Sequence, residues 1–209
     1  MFLWTTCVIA LLLLQAVQSQ TQVSNDPEIG EVTTSSEEIP RQMVFEKKDW
    51  DINQTYSDVY KILRSKNSCS DFYGGSRTAT TVLNDLVGHI KSEPLVREIA
   101  FKMTGKPQFV RDHSTGVLYR LFDKPTVNTN GSFYRRRTNP MRSIPADVGS
   151  FAAGTRPARA LILLHELAHL IQGEDGAWLI PDDGFNVEKS TANTLRVEEI
   201  CRAQLKALR

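Results

Sequence analysis

The chain of 209 residues carries a formal charge of +1, with 41% hydrophobic and 23% charged residues, which are ordinary values for a globular protein. This length predicts one domain, with room for a tail. The near-zero net charge argues against a general binder of polyanions, so we expect no nucleic-acid partner.

The first residues are typical of an exported protein. They read MFLWTTCVIALLLLQAVQSQ, with an apolar stretch over residues 8–14 and small-residue positions at Val17 and Ser19. This pattern predicts a signal peptide at residues 1–19. An N-terminal membrane anchor is the alternative, but the run is short of the ~20 residues that a span needs. We expect a secreted protein, periplasmic if the source is bacterial, with no stable membrane insertion after cleavage.

The cysteines agree with export. Signal cleavage would remove Cys7 and leave Cys69 and Cys201. Two cysteines in an exported chain most simply form one disulfide, although two separate buried thiols are the alternative. The bond would tie the C-terminal helix to an early one, and the chain-entropy model values such a closure at roughly 4–5 kcal/mol.

A polar segment precedes the expected domain. Residues 20–45 are acidic and almost without aromatic side chains, which predicts a disordered lead-in; a propeptide is the alternative. A single folded domain is expected over residues 46–209. Its first two helices are predicted from apolar residues at helical spacing in TYSDVYKILRS and ATTVLNDLVGHI, and LVREIAFKM is expected to resume the second helix beyond Pro94.

The pattern then changes to short strands. A hairpin is predicted from two β-rich runs, PQFVRD and GVLYRLFD, joined by HSTG. A further strand is expected at SFYRRR, after the turn NTNGS. A loop leads to Pro157, which suits the first turn of a long apolar helix. Ser190 is the expected N-cap of a closing helix that runs to Leu208.

The apolar helix contains the sequence HELAH, which places His165, Glu166 and His169 among leucines. Histidines four residues apart lie on one face of a helix, where two imidazoles can bind one Zn²⁺. Glu166 is offset by about 100°, so it is placed to act on a water beside the metal. A hydrogen-bonded core cluster is the alternative, but a buried Glu without a strong partner is costly. We therefore predict a zinc site with Glu166 as general base.

The stretch LILLHELAHLI resembles the active-site helix of the zincin metallopeptidases, over about fifteen residues. The resemblance implies an α+β fold in which a small twisted sheet packs over the HExxH helix, with the cleft between them. It assigns metal binding to His165 and His169, and general acid and base catalysis to Glu166. The segments LIPDDG and STANTLRVEEIC resemble poorly characterised exported proteins that carry the same motif.

A catalytic zinc needs a third protein ligand, and three candidates remain. The metzincin spacing would use position 175, where this chain has Asp175, and a thermolysin-like arrangement would use a Glu on a later helix, which Glu198 approximates. Asp183 is preferred, because Pro181 and Gly184 bracket it in a loop that folds back after the active helix.

The leading hypothesis is a secreted zinc-dependent metallopeptidase, an endopeptidase acting on peptide or protein substrates. Glu166 would take a proton from a zinc-activated water and deliver it to the leaving amine. A non-catalytic exported binding protein with a structural or vestigial zinc site is the alternative, and a non-peptide amidohydrolase would share the metal chemistry. An open fourth metal position distinguishes an enzyme from a structural site. The oligomeric state stays open.

Overall fold

The computed structural model describes residues 49–95, 99–134, 146–184 and 186–208, which all lie in one compact unit. The predicted signal peptide at 1–19 and lead-in at 20–45 lie outside the described residues. The described part has an α+β fold with five helices and a three-stranded mixed sheet. In chain order the elements are α1 (Trp50–Arg64), α2 (Ser68–Phe72), α3 (Gly75–His89), β1 (Lys91–Glu93), β2 (Phe101–Arg111), β3 (Leu118–Asn128), α4 (Arg156–Ala168) and α5 (Val187–Lys206).

The two early helices are confirmed as α1 and α3, which pack against each other. Each buries the apolar stripe that its sequence predicts, including Val59 and Leu63 on α1 and Leu83 on α3. A hydrogen bond of 2.8 Å from the Tyr56 hydroxyl to Asn84 joins the two helices. Burial of these stripes, rather than helix propensity, is the main source of stability for such helices.

The predicted hairpin is confirmed as the antiparallel pair β2 and β3. Its register shifts between Thr104 and Pro107, where Gly105 adopts φ +102°, and a Cβ there would lie 3.1 Å from the Asp123 side chain. Such a position favours glycine. β1 lies on the other side of β3, in parallel, so β3 is the central strand.

Two predictions for the strand region are wrong. The helix expected to resume in LVREIAFKM is absent at its described end, because Phe101 and Met103 belong to β2. These residues pair with β3 instead, Phe101 opposite Val127 and Met103 opposite Pro125. The strand expected at SFYRRR is not found over its described residues, since Ser132–Tyr134 form turns; its remainder lies outside the described residues.

The long apolar helix is confirmed as α4. Thr155 caps its N-terminus and Pro157 lies in the first turn. Nearly every side chain of α4 is buried, as expected for a helix that is apolar all round. After α4 the chain pairs with the start of β3, through N–H···O bonds of 2.9 Å from Arg120 to Leu170 and 3.0 Å from Gln172 to Leu118. The end of α4 is therefore fixed against the sheet.

The closing helix α5 starts earlier than expected. Its N-cap is Asn186, whose side chain accepts a hydrogen bond of 2.9 Å from the N–H of Lys189, so Ser190 as N-cap was wrong. Asn is as good an N-cap as Ser, and the earlier start adds a full turn. The predicted disulfide between Cys69 and Cys201 is confirmed and joins α2 to α5. Within the described ranges, no helix has the length and apolar character to cross a bilayer.

Candidate metal centre

The end of α4 brings two histidine side chains together. His165 lies in the last turn, and His169 is the C-cap with helical backbone angles, φ −69° and ψ −19°. Their Nε2 atoms are 3.0 Å apart, and both residues are buried. The predicted one-face arrangement of the pair is therefore present.

The loop between α4 and α5 adds a carboxylate to this pair. The Oδ2 atom of Asp183 lies 3.0 Å from Nε2 of His165, and its Oδ1 atom lies 3.6 Å from Nε2 of His169. Among the described residues, these three side chains form the group of ligand types that converges on one point. Of the three candidate third ligands, Asp183 is the one that the fold brings to the histidines.

The spacing of these atoms fits a tetrahedral metal. With zinc–ligand distances of about 2.0–2.1 Å, the ligand atoms of a tetrahedral site lie about 3.3 Å apart. The two Nε2 atoms are 3.0 Å apart, and the Asp183 carboxylate approaches them with different oxygens, Oδ2 at 3.0 Å from His165 and Oδ1 at 3.6 Å from His169. Two imidazole nitrogens and a carboxylate oxygen are also a donor set that zinc accepts.

The hydrogen positions give a second reason why this group could hold a cation. The Nε2 atom of His165 faces both the Asp183 carboxylate and Nε2 of His169, and one neutral nitrogen cannot donate to the first while accepting from the second. In addition, the buried Nδ1 of His169 has no hydrogen-bond partner within the described part of the chain. A metal ion between the two Nε2 atoms would remove the conflict, because both nitrogens could then present lone pairs to it.

Side chains of α5 support the cluster from behind. The Thr194 hydroxyl lies 3.1 Å from Nδ1 of His165. If that nitrogen carries the proton, its Nε2 presents a lone pair to a metal. The Asn193 amide donates to Oδ1 of Asp183 at 2.5 Å and to the carbonyl oxygen of Pro181 at 2.8 Å. These contacts orient two of the three ligand side chains.

The pKa values of Asp183 and His169 are shifted by the contact between the carboxylate and the imidazoles. Burial alone would raise the pKa of Asp183, but hydrogen bonds from His165, His169 and Ser190 hold it well below its usual range. Burial alone would lower the pKa of His169, yet its hydrogen bond to Asp183 and the charge of Glu166 raise it above 6.5. A carboxylate that stays ionised suits a metal ligand, whereas a proton on His169 competes with the metal.

Glu166 differs from its neighbours in α4, because its side chain is only half-buried. Burial raises its pKa above the ordinary 4.5, and the Asp183 charge adds to this, although His165 and His169 act in the opposite direction. A carboxyl group with a raised pKa is a stronger base when ionised, which suits proton transfer near neutral pH.

The other two candidate ligands have different partners. The buried carboxylate of Glu198 accepts hydrogen bonds of 2.9 Å from the Ser150 N–H and 2.5 Å from the Ser150 hydroxyl. Asp175 accepts a hydrogen bond of 3.0 Å from the N–H of Ala177 within a turn. Neither belongs to the ligand group formed by the described residues, so Glu198 instead fixes the loop before α4.

Sequence reasoning missed Asn193 and Thr194. The buried face of α5 runs through Val197 and Cys201, and the prediction of the closing helix did not place Asn193 or Thr194 on that face. Asn193 and Thr194 lie three to four residues before Val197, which is the spacing of one helix face. The signal available in the sequence was therefore that Asn193 and Thr194, both polar, continue the buried face of the helix.

Comparisons with known proteins return no relative for this chain. No protein-family model, curated protein or solved structure matches it. The similarity of HELAH to the zincin helix thus remains a resemblance carried by the motif and its neighbours. Support for any function comes from the chain's own side chains.

Proposed function

We propose that this protein is a secreted zinc-dependent metallopeptidase with a zincin-like fold. The observation that carries the proposal is the convergence of His165, His169 and Asp183 at distances of 3.0–3.6 Å, with Glu166 next to the first ligand on the same helix. A metal held by three protein side chains keeps one position for water or substrate. An exported location is supported by the disulfide, since such bonds persist in oxidising compartments.

The ligand side chains each have a defined task in this proposal. His165 and His169 bind through Nε2, and Asp183 binds through a carboxylate oxygen and offsets part of the metal charge. When bound, zinc supplies Lewis acidity, which makes a nearby water molecule acidic enough to lose a proton near neutral pH. Thr194 and Asn193 keep the ligand atoms of His165 and Asp183 directed at the common point.

Glu166 carries the proton transfers. Its carboxylate takes the proton from the attacking water and later delivers it to the nitrogen of the leaving amine. Its raised pKa favours the first transfer, because a stronger base competes better for the proton of water. The two histidines are themselves buried, so little bulk water reaches their rings, which strengthens the electrostatic interactions around them.

A non-catalytic zinc protein is the competing class. A structural zinc site is closed by four protein ligands, whereas the cluster within the described residues has three. Three ligands would leave the fourth position open to water, as the enzyme requires. The two classes differ in one measurable outcome, which is hydrolysis by the zinc-loaded protein.

The decisive experiment compares the parent with Glu166→Gln in the zinc-loaded state. The amide is nearly the same size as the carboxyl group, so we expect zinc content and fold to be retained. Hydrolysis of unfolded protein chains and peptide libraries should fall by about 10²–10⁴-fold, the usual contribution of general base catalysis. Glu199→Gln is the matched control, because Glu199 is an exposed glutamate on α5.

Equal cleavage by the parent and Glu166→Gln would place the activity elsewhere. Absence of cleavage by the zinc-loaded parent across broad libraries would favour the non-catalytic class. A loss of activity in Glu199→Gln as large as that in Glu166→Gln would show that the assay reports a general effect of removing a carboxylate.

A further inference from the structure

Arg120, on β3, makes an unusual set of contacts beside the proposed metal centre. Its side chain is buried, with 8% of the residue exposed. Its Nε donates a hydrogen bond of 3.0 Å to the carbonyl oxygen of His169. Its two terminal nitrogens both contact the carboxylate of Asp182, with Nη1 lying 3.3 Å from Oδ2.

Aromatic rings complete the environment of this guanidinium. Its central carbon lies 4.2 Å from the ring centroid of Trp178 and 5.5 Å from that of Phe122. An Arg above an aromatic face gains cation–π attraction, and its planar form suits two-point recognition of a carboxylate. The position therefore requires arginine, because lysine has a single nitrogen and cannot bind His169 and Asp182 in the same way.

The contacts of Arg120 join three different segments of the chain. They connect β3 to the last residue of the HExxH motif and to the loop that follows. The carbonyl groups at a helix C-terminus have no partner within the helix, and Arg120 provides one at His169. Asp182 is the residue before Asp183, so consecutive Cα atoms about 3.8 Å apart transmit its position to the third ligand.

We infer that Arg120 is a positioning residue for the metal centre, acting through Asp182 to hold Asp183 against the two histidines. This inference rests on the proposed metal centre. The loop must cover thirteen positions between His169 and Asp183, and without a clamp many loop conformations would move the carboxylate away. Arg120, on β3, contacts both the backbone of His169 and the side chain of Asp182 in the loop. The distance between His169 and Asp183 therefore depends on the position of a residue of the sheet and not on the loop alone.

Asp182 has a second relation to the centre. Its Oδ1 atom lies 4.0 Å from Nδ1 of His169, the buried nitrogen that lacks a hydrogen-bond partner within the described residues. A carboxylate on this side of a ligand imidazole favours the tautomer whose proton is on Nδ1 and whose Nε2 faces the metal. By holding Asp182 in place, Arg120 keeps a negative charge beside Nδ1 of His169, where that charge favours metal binding through Nε2.

The test measures zinc affinity by competition with a chelator, independently of hydrolysis. Residues outside the ligand shell that orient it typically contribute about 10–100-fold to metal affinity, and we expect a loss of this size in Arg120→Gln. Arg120→Lys should remain impaired, because charge alone does not restore the bridge. Asp182→Asn should show a similar loss, and the double variant should be no worse than Arg120→Gln, since both changes break one linkage.

The matched control is Arg156→Gln. Arg156 pairs with Asp58 through two contacts of 3.0 and 2.7 Å at the other end of α4. This variant should lose stability but keep zinc affinity within about twofold of the parent, as expected for a distant site. Substitution with Co²⁺ adds a readout of geometry: the visible spectrum of Arg120→Gln should change, and that of Arg156→Gln should match the parent.

Several outcomes would overturn the inference. One is zinc affinity within about twofold of the parent in both Arg120→Gln and Asp182→Asn. Another is an equal loss of affinity in Arg156→Gln. If Arg120→Gln does not fold, Asp182→Asn decides, because the Asp182 side chain is 63% exposed. A parent that binds zinc without hydrolysis contradicts the proposed peptidase alone, whereas unchanged variants of an active parent contradict the positioning role alone.

Discussion

The two halves of α5 present the same helix face to the protein but use it differently. The N-terminal half directs Asn193 at Asp183 and Thr194 at His165. The C-terminal half buries apolar side chains and carries the disulfide, through Val197, Cys201 and Leu205. One face of one helix thus supports the site at one end and anchors the fold at the other.

This contrast shows what a buried polar side chain requires. Asn193 is buried, and both groups that its amide contacts belong to the loop that carries Asp183. Glu198, at the junction of the two halves, is buried at the cost of desolvation, which hydrogen bonds from Ser150 offset. Polar residues on this face are therefore tolerated only where a specific partner exists. The two halves should respond separately to substitution, zinc affinity reporting on one and folding stability on the other.

The largest effect is expected from removing Asp183, the proposed third ligand that the N-terminal half supports. Asp183→Ala should lower zinc affinity by more than about 100-fold, the upper end for residues outside the ligand shell. Asp175→Ala is the control, because its carboxylate accepts a hydrogen bond within a turn. Chelator competition measures both variants. Full zinc affinity in Asp183→Ala together with its loss in Asp175→Ala would reverse the assignment of the third ligand.

The next largest effect is expected from removing the disulfide in the C-terminal half of α5. The bond between Cys69 and Cys201 spans a sequence separation of 132 residues, and removing a native disulfide typically costs about 2–5 kcal/mol. The double substitution of both residues by Ser should lower the free energy of unfolding by this amount. Denaturant titration gives the stability, and zinc affinity of the folded protein should stay near the parent value. A large loss of zinc affinity in the folded state would show that the two halves are coupled.

A smaller effect is expected from the polar supports themselves. Asn193→Ala and Thr194→Val should each lower zinc affinity by about 10–100-fold. Their effect on unfolding should be smaller than that of breaking the disulfide. Thr191→Val is the control, since Thr191 is exposed on the same helix and its hydroxyl bonds the helix backbone. Equal zinc affinities for Thr194→Val and Thr191→Val would remove Thr194 from the site.

The smallest effect is a pH dependence whose sign differs with and without zinc. In the metal-free protein, the lowered pKa of Asp183 contributes stability above about 3.8, and the raised pKa of His169 contributes stability below about 6.5. Both contributions are complete between these values; the first is lost as pH falls through the folded-state pKa of Asp183, and the second as pH rises through that of His169.

In the presence of zinc, the effect of pH around the pKa of His169 has the opposite sign. A histidine must be neutral to bind metal, so apparent zinc affinity should fall as pH is lowered through the raised pKa of His169. Chelator competition between pH 5.5 and 8, a range of about one unit or more on each side of an ordinary histidine pKa, measures this dependence. A zinc affinity that does not change over the range would argue against histidine ligands.

The sequence by itself determined the features that depend on local spacing. The repeat of apolar residues predicted α1, α3 and α4 because a helix places every third or fourth residue on one face. The same rule places His165 and His169 together from the sequence alone. The predicted signal peptide and the small number of cysteines were enough to predict the bond between Cys69 and Cys201.

Tertiary structure decided the features that depend on groups distant in the chain. The sequence favoured Asp183 from the turn residues around it but left Asp175 and Glu198 open, because each was chemically acceptable and a loop has no periodicity that orients its side chains. The choice became visible only when Ser150 satisfied Glu198 and when Asn193 and Arg120 held the loop that carries Asp183. Local spacing fixes which side chains share a helix face, whereas hydrogen bonds between separate elements fix which side chains complete the site.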